Sequence, residues 1–287
     1  MTSVPPLVAR RCHASLNPLH SLIYFAPEAE EEYTAAGLES GRMPYFAGRA
    51  AALGPVGAGV VAATFYNFSP DLVARHIPRA WDLAAPKELL SARLTAVDRV
   101  LRRLLGDGLP DQPDVREAAE LAATATEVCG SAGRPLYAAH ADLPVPEQPH
   151  LALWHAITLL REYRGDGHLA ALSAAGLDGL EALISHTATG KGFTPEFARQ
   201  SRGWTELEWE AAKERLRGRG LLDSDGHLTA RGNELRLEVE ETTDRLALAP
   251  YAHLGGPGVE RLTEIGTRLT RTALAAGAFP PGVFAQA

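Results

Sequence analysis

Apolar side chains recur along this 287-residue chain at spacings of three and four rather than two, and prolines stand where many of the runs begin. That periodicity predicts helices at 18–25, 27–36, 44–53, 57–66, 70–84 and 86–105. The last two open on Pro70 and Pro86, where a missing N–H costs nothing. In the last, Leu90, Leu94, Val97, Leu101 and Leu104 form one stripe opposed by Arg99, Arg102 and Arg103, as in a helix lying on a core. Residues 106–113 read as a turn-rich break, helix resumes over 114–128, and a further helix runs from Leu151. The residues before Leu16 carry no such run and are expected to form a loosely held arm. At the far end 258–277 is amphipathic, with Leu262, Ile265, Leu269 and Leu274 as its apolar positions.

The pattern changes between 193 and 248. A short helix (194–200) and a turn at Ser201-Arg202-Gly203 lead into a second helix opened by Thr205, with Glu208 as its capping-box partner. Gly220 ends that helix, and 221–229 reads as two short apolar pieces around Asp225-Gly226, as a two-stranded wing requires. Thr229 then caps a long helix with Leu235, Val239, Thr242 and Leu246 on one face. The string Leu216-Arg217-Gly218-Arg219-Gly220-Leu221-Leu222-Asp223, followed by Asp225-Gly226-His227-Leu228-Thr229-Ala230-Arg231-Gly232, resembles the end of the recognition helix, the wing and the next helix of MarR-type regulators. Ahead of it stand Tyr45-Phe46-Ala47-Gly48-Arg49-Ala50-Ala51 and Leu159-Leu160-Arg161-Glu162-Tyr163-Arg164-Gly165-Asp166-Gly167-His168. With these, the whole chain resembles an actinobacterial helix-turn-helix family of largely undefined role. In MarR-type proteins the helices flanking the winged helix form the dimer, so the resemblance makes 258–277 a candidate homodimer surface. Packing back on its own chain is the alternative.

The expected architecture is mainly α: an arm (1–16), a multi-helix N-terminal domain (17–190), and a C-terminal winged helix with a small β-wing (191–287). Within the helical part, Gly41-Arg42-Met43-Pro44-Tyr45-Phe46-Ala47 matches Gly133-Arg134-Pro135-Leu136-Tyr137-Ala138-Ala139 at glycine, arginine, tyrosine and the last alanine. A degenerate repeat over 41–90 and 133–184 would leave a seam between copies where a ligand could sit, and chance similarity in an alanine-rich chain is the competing reading.

A net charge of −7 argues against a general nucleic-acid or membrane-surface binder, because phosphate binding needs clustered positive charge. The longest apolar stretch, 56–68, is too short for a membrane span, and a cytoplasmic protein is expected. Cys12 and Cys129 sit in no metal or redox spacing and read as two reduced thiols. Where a recognition helix would meet bases, the chain has Trp204, Thr205, Glu206, Leu207, Glu208, Trp209 and Glu210, and the wing tip holds Asp223, Asp225 and His227. DNA binding is therefore expected to be weak or lost.

The densest group of ionisable residues lies at 155–168. On the helix from Leu151, His155, Thr158, Arg161 and Glu162 fall three or four apart, and 163–168 is expected to turn sharply, with Asp166 capping the next helix. As a pocket wall, Arg161 or Arg164 would hold an anionic group, His155, Tyr45 and Tyr66 would line the site, and Glu162, Asp166 and His168 would be the catalytic candidates. As structure, the same residues make a salt-bridged corner in which Arg164 pairs with Glu162. A metal site from His155, Glu162 and His168 matches no helical ligand spacing, and none is expected. No phosphate loop, dinucleotide fingerprint or nucleophile elbow occurs, so no cofactor can be named. The leading reading is a small-molecule-binding winged-helix protein, a regulator with weak or lost DNA contact. An enzyme using the acid/base group and a structural or dimerisation partner are the alternatives.

Overall fold

The computed structural model describes residues 4–281 and is mainly helical. The N-terminal stretch holds α1 (Pro6–Ser21), α2 (Pro27–Ala35), α3 (Met43–Ala50), α4 (Ala58–Phe65), α5 (Pro70–Ala74), α6 (Ala80–Leu83) and α7 (Pro86–Leu105). There follow α8 (Pro113–Thr126), α9 (Pro135–Ala141), α10 (Pro149–Ala174), α11 (Gly179–Thr187), α12 (Pro195–Arg202), α13 (Glu206–Gly218), α14 (Ala230–Leu246) and α15 (Ala249–Ala275). No single helix among the described residues is long and apolar enough to cross a membrane.

The organising element is α10. Its buried positions run all round the helix, from His150 and Leu151 to Ala171 and Leu172, as expected of a helix enclosed by others. Its first half sits in the large core with α1, α7 and α8, and its last turns enter a second core with Leu180, Leu183 and Ile184 of α11, Trp209 and Leu216 of α13, and Val239 of α14.

The chain before Leu16 is not a loose arm. Pro6 opens α1, whose Cys12, Leu16 and Leu19 are buried against α15, and the apolar face of α15 (Val259, Leu262, Ile265, Leu269) is covered by α1 and α8 of the same chain. Leu274 lies outside that face, exposed. Gly41 and Gly133 both take positive φ ahead of helices with proline in the first turn, but the arginines that follow differ, Arg42 being helical and Arg134 not, so the matching segments do not share their backbone.

The sharp turn expected at 163–168 is absent, because α10 runs straight through Gly165 and Gly167. Two glycines cost a helix about 1 kcal/mol each, which packing on every side overrides. Gly167 is also needed for close approach: a Cβ there would lie 2.8 Å from the guanidinium of Arg134, which crosses α10 to reach the carbonyls of Tyr163 and Leu246.

The expected β-wing is not a pair of strands. Between α13 and α14 the chain makes one antiparallel bridge, Leu222 with Leu228, supported by Thr229 N–H to Leu221 O at 3.1 Å and Asp223 N–H to His227 O at 2.9 Å. The caps stand where the sequence puts them: Thr194, Thr205 and Thr229 each accept a first-turn N–H, and Gly203 is left-handed between α12 and α13. The buried face of α14, however, is Gly232, Arg236, Val239, Thr243 and Asp244 rather than the leucine stripe. This helix packs on α10 through polar groups.

Candidate functional site

The straight course of α10 sends the ionisable residues in three directions. Glu162 is fully buried and faces α3, where Arg49 Nη2 donates to it at 3.0 Å and Arg161 Nη1 at 2.6 Å. Burial alone would raise its pKa, but the two guanidiniums outweigh it and hold the carboxylate well below its usual range. Asp166, one turn on, accepts the N–H of Tyr137 at 2.9 Å through Oδ2, while Oδ1 has no partner, and burial pushes its pKa up to about 6. Arg164 and His168 face α14: Arg164 donates to Asp244 at 2.8 Å, and His168 Nδ1 to Thr243 Oγ1 at 2.8 Å. Burial brings His168 down to about 4, and His155, buried near Arg93, likewise. Glu162, Asp166 and His168 thus do not converge as an acid/base group, nor His155, Glu162 and His168 as metal ligands, and Arg164 pairs with Asp244 and Glu240 instead of Glu162. Tyr66, at a strained φ of 55°, donates to Leu177 O at 2.6 Å and packs its carbonyl on Gly179. It joins the helical part to α11 and does not line the cleft described next.

Two of the expected residues, Arg161 and Tyr45, border one cavity together. A cleft of about 550 Å³ opens between the end of α1, the start of α3 and the α12 helix, within the range of small-molecule sites. Tyr24, Tyr45, Phe68, Phe193 and Phe197 give it aromatic walls, and Arg42, Arg161 and Arg202 give it three positive charges. Tyr45 sits in a ring cluster with Tyr24, Phe46, Phe65 and Phe68. Tyr24 is tied to the core by a hydrogen-bonded chain. Because Thr158 donates to Trp154 O at 2.8 Å, its oxygen accepts from His20 Nδ1 at 3.0 Å, which leaves His20 Nε2 to accept from the Tyr24 hydroxyl at 2.9 Å. Burial and the nearby Arg161 keep that imidazole neutral, its pKa well below the usual value.

Arg202 ends α12. Its guanidinium lies over Phe68 at 4.4 Å and Phe193 at 5.2 Å, and Nη1 donates to Ser201 Oγ at 3.1 Å. Its Nε is closed off from solvent without a partner, and no carboxylate pairs with it among the described residues. Burial, with Arg42 and Arg49 nearby, lowers its pKa. Sequence reading passed over this residue as part of a turn. The available signal was Phe193 and Phe197, four apart ahead of an arginine with Ala198 and Arg199 at the positions where a helical carboxylate partner would stand.

On the other side of the same turn, α13 carries its charges in pairs. Lys213 meets Glu210 at 2.9 Å, Arg217 meets Glu214 at 2.5 Å, Arg215 bridges Asp178 and Glu181, and Arg219 reaches Glu181 at 3.1 Å. Asp223, Asp225 and His227 are exposed at the hairpin tip, where Asp223 Oδ1 accepts the N–H groups of Asp225 and His227. The turn is docked on the helical part: Ser69 N–H donates to Arg202 O at 2.9 Å, Trp204 Nε1 to Asn67 O at 2.9 Å, and a Cβ on Gly203 would meet Leu72 at 2.7 Å.

Two short helices joined through a left-handed glycine, with a hairpin behind them, agree with the family comparison, in which a helix-turn-helix family matches residues 9–280. The chain belongs to this helix-turn-helix family. No curated protein and no solved structure matches it. Since the match spans nearly the whole chain, the helical part that carries the cleft belongs to the family's definition as much as α12 and α13 do.

Proposed function

We propose that this helix-turn-helix protein binds a small molecule in the cleft between its helical part and α12, as a ligand-responsive regulator whose direct contact with DNA is weak. In this reading α11–α14 with their hairpin have a MarR-like layout whose wing is reduced to a single bridge. The observation that carries it is the cleft itself, where aromatic walls and three arginines meet in a chain of net charge −7. The weak DNA contact is supported by α13, whose cations are engaged by its own and neighbouring carboxylates while Glu206 and the hairpin acids face solvent.

Two measurements test the two halves. A thermal-shift screen of small acids is expected to yield ligands that stabilise the protein, and Ser21→Trp, which fills the cleft from α1, is expected to abolish the shifts. Shifts that survive Ser21→Trp would place the ligand elsewhere. Titration with labelled genomic duplexes at physiological salt is expected to show no submicromolar binding, and tight binding with a steep salt dependence would refute the weak-contact half.

A further inference from the structure

We propose that the cleft is a receptor for a ring-bearing monoanion, a carboxylate or sulfonate, with Arg202 as the residue that reads the acid. The inference rests on the ligand-binding reading above and narrows it.

Three observations support it. The first is the state of Arg202. Arg10, Arg49, Arg161 and Arg164 each find a carboxylate within ion-pair distance, whereas Arg202 has one hydroxyl, two ring faces and an orphaned Nε. Enclosing a guanidinium without a counter-ion is costly, and ring faces offset only part of that cost. A carboxylate or sulfonate arriving through the cleft would supply the charge-assisted partner that this side chain lacks.

The second is the charge balance along the walls. Arg161 also borders the cleft, but its Nη1 is already given to Glu162, and Arg42 stands exposed at the rim. Arg202 is thus the one half-buried cation of these walls with no carboxylate partner among the described residues, and one such cation calls for one acid group. A polyanion such as a nucleotide would need further donors that the aromatic walls do not provide.

The third is the surface next to Arg202. Phe68 and Phe193 present their rings to the guanidinium, and Tyr45, which packs on Phe68, completes with Phe197 and Tyr24 walls broad enough for a flat or compact apolar body within about 550 Å³.

The position of Arg202 adds a consequence. It is the last residue of α12, its carbonyl accepts from Ser69, and the next residue is the left-handed Gly203 that aims α13. An acid bound between Arg202 and the α1–α3 wall adds a link between the helix-turn-helix and the helical part to those made at Asn67, Ser69 and Leu72. Occupancy should therefore stabilise the docked arrangement.

The test uses two fluorescent probes with the same ring framework, the anionic 1-anilinonaphthalene-8-sulfonate and the uncharged N-phenyl-1-naphthylamine. Both are titrated into the full chain, into Arg202→Gln and Arg202→Lys, and into the surface control Arg271→Gln. The sulfonate is expected to bind the parent at one site at least about tenfold more tightly than the amine, the selectivity of one charge-assisted pair. Arg202→Gln should remove that margin and leave the amine unchanged, Arg202→Lys should keep part of it, and Arg271→Gln should keep all of it. Equal affinity for the two probes in the parent, or a sulfonate affinity within about twofold of parent in Arg202→Gln, overturns the assignment of Arg202 while cleft binding stands. Failure of both probes to bind the parent overturns the ligand-binding reading as well. Should Arg202→Gln not fold, judged by its circular-dichroism melt, the parent's selectivity and the Arg202→Lys titration decide.

Discussion

Arg49 and Arg161 on the one hand, and Arg202 on the other, have opposite fates near Tyr45. Arg49 and Arg161 converge on the fully buried carboxylate of Glu162, so every charge there has a partner and the group holds α3 to α10. Arg202 lies among rings with no carboxylate paired to it among the described residues and with cleft space beside it. Composition does not distinguish these arginines, and both groups are enclosed. What separates them is whether the chain supplies the counter-charge. A satisfied buried charge is part of the structure, and an unsatisfied one beside open space is where a ligand can repay the desolvation.

The largest effect is expected from breaking the satisfied side. Glu162→Ala would leave two guanidiniums facing each other in the core and should cost about 3–5 kcal/mol of stability, read from urea unfolding. A loss below about 1 kcal/mol would mean that water already reaches this group, and the contrast with Arg202 would collapse.

Asp166 is the anionic counterpart of Arg202, a buried carboxylate whose Oδ1 has no partner and which receives one backbone N–H. Burial and the neighbouring charge of Glu162 raise its pKa from 3.8 to about 6, against the N–H of Tyr137 and the charge of Arg49. The folded state therefore binds this proton more tightly than the unfolded chain does. The resulting stability is present in full below about pH 4 and is lost as pH rises through about 6. Asp166→Asn can still accept from Tyr137 and has no charge to lose. It should be more stable than the parent at pH 8, on the order of 2 kcal/mol, with the advantage gone near pH 4. A parent and variant with parallel stability curves across that range would show Asp166 to be solvated.

Much of the fold was legible in the sequence because local chemistry decides it. Pro86 opens α7, Thr205 with Glu208 caps α13, and Gly203 and Gly220 take the left-handed conformations that end α12 and α13. Leu216, which opens the MarR-like string at the end of α13, is fully buried. The misses share one cause. Gly165 and Gly167 look like a turn until Arg134, far away in sequence, is seen crossing the helix at Gly167. The polar inner face of α14 is invisible to a hydrophobic pattern because its partners, Arg164 and His168, lie on another helix. The candidate site divides the same way: crowding around 155–168 pointed to Arg161, but Arg202 acquires its meaning only from Phe68, which the fold brings to it from α4–α5.

The smallest effect is expected at the unsatisfied side, and it is the sharpest test of the contrast. Arg202→Met keeps an unbranched apolar stem and removes the charge that lies over Phe68 and Phe193. The variant loses one hydrogen bond to Ser201 and two cation–ring contacts, each worth about 1 kcal/mol or less, and it is relieved of the desolvation of a guanidinium without a counter-ion. These terms oppose one another, so stability should move by less than about 1 kcal/mol in either direction. Arg49→Met, by the same truncation, strands Glu162 beside Arg161 alone and should cost about 3–5 kcal/mol. Equal and large losses at the two positions would mean that Arg202 has a structural partner in solution, and the cleft would then lack the uncommitted charge on which an acid could dock.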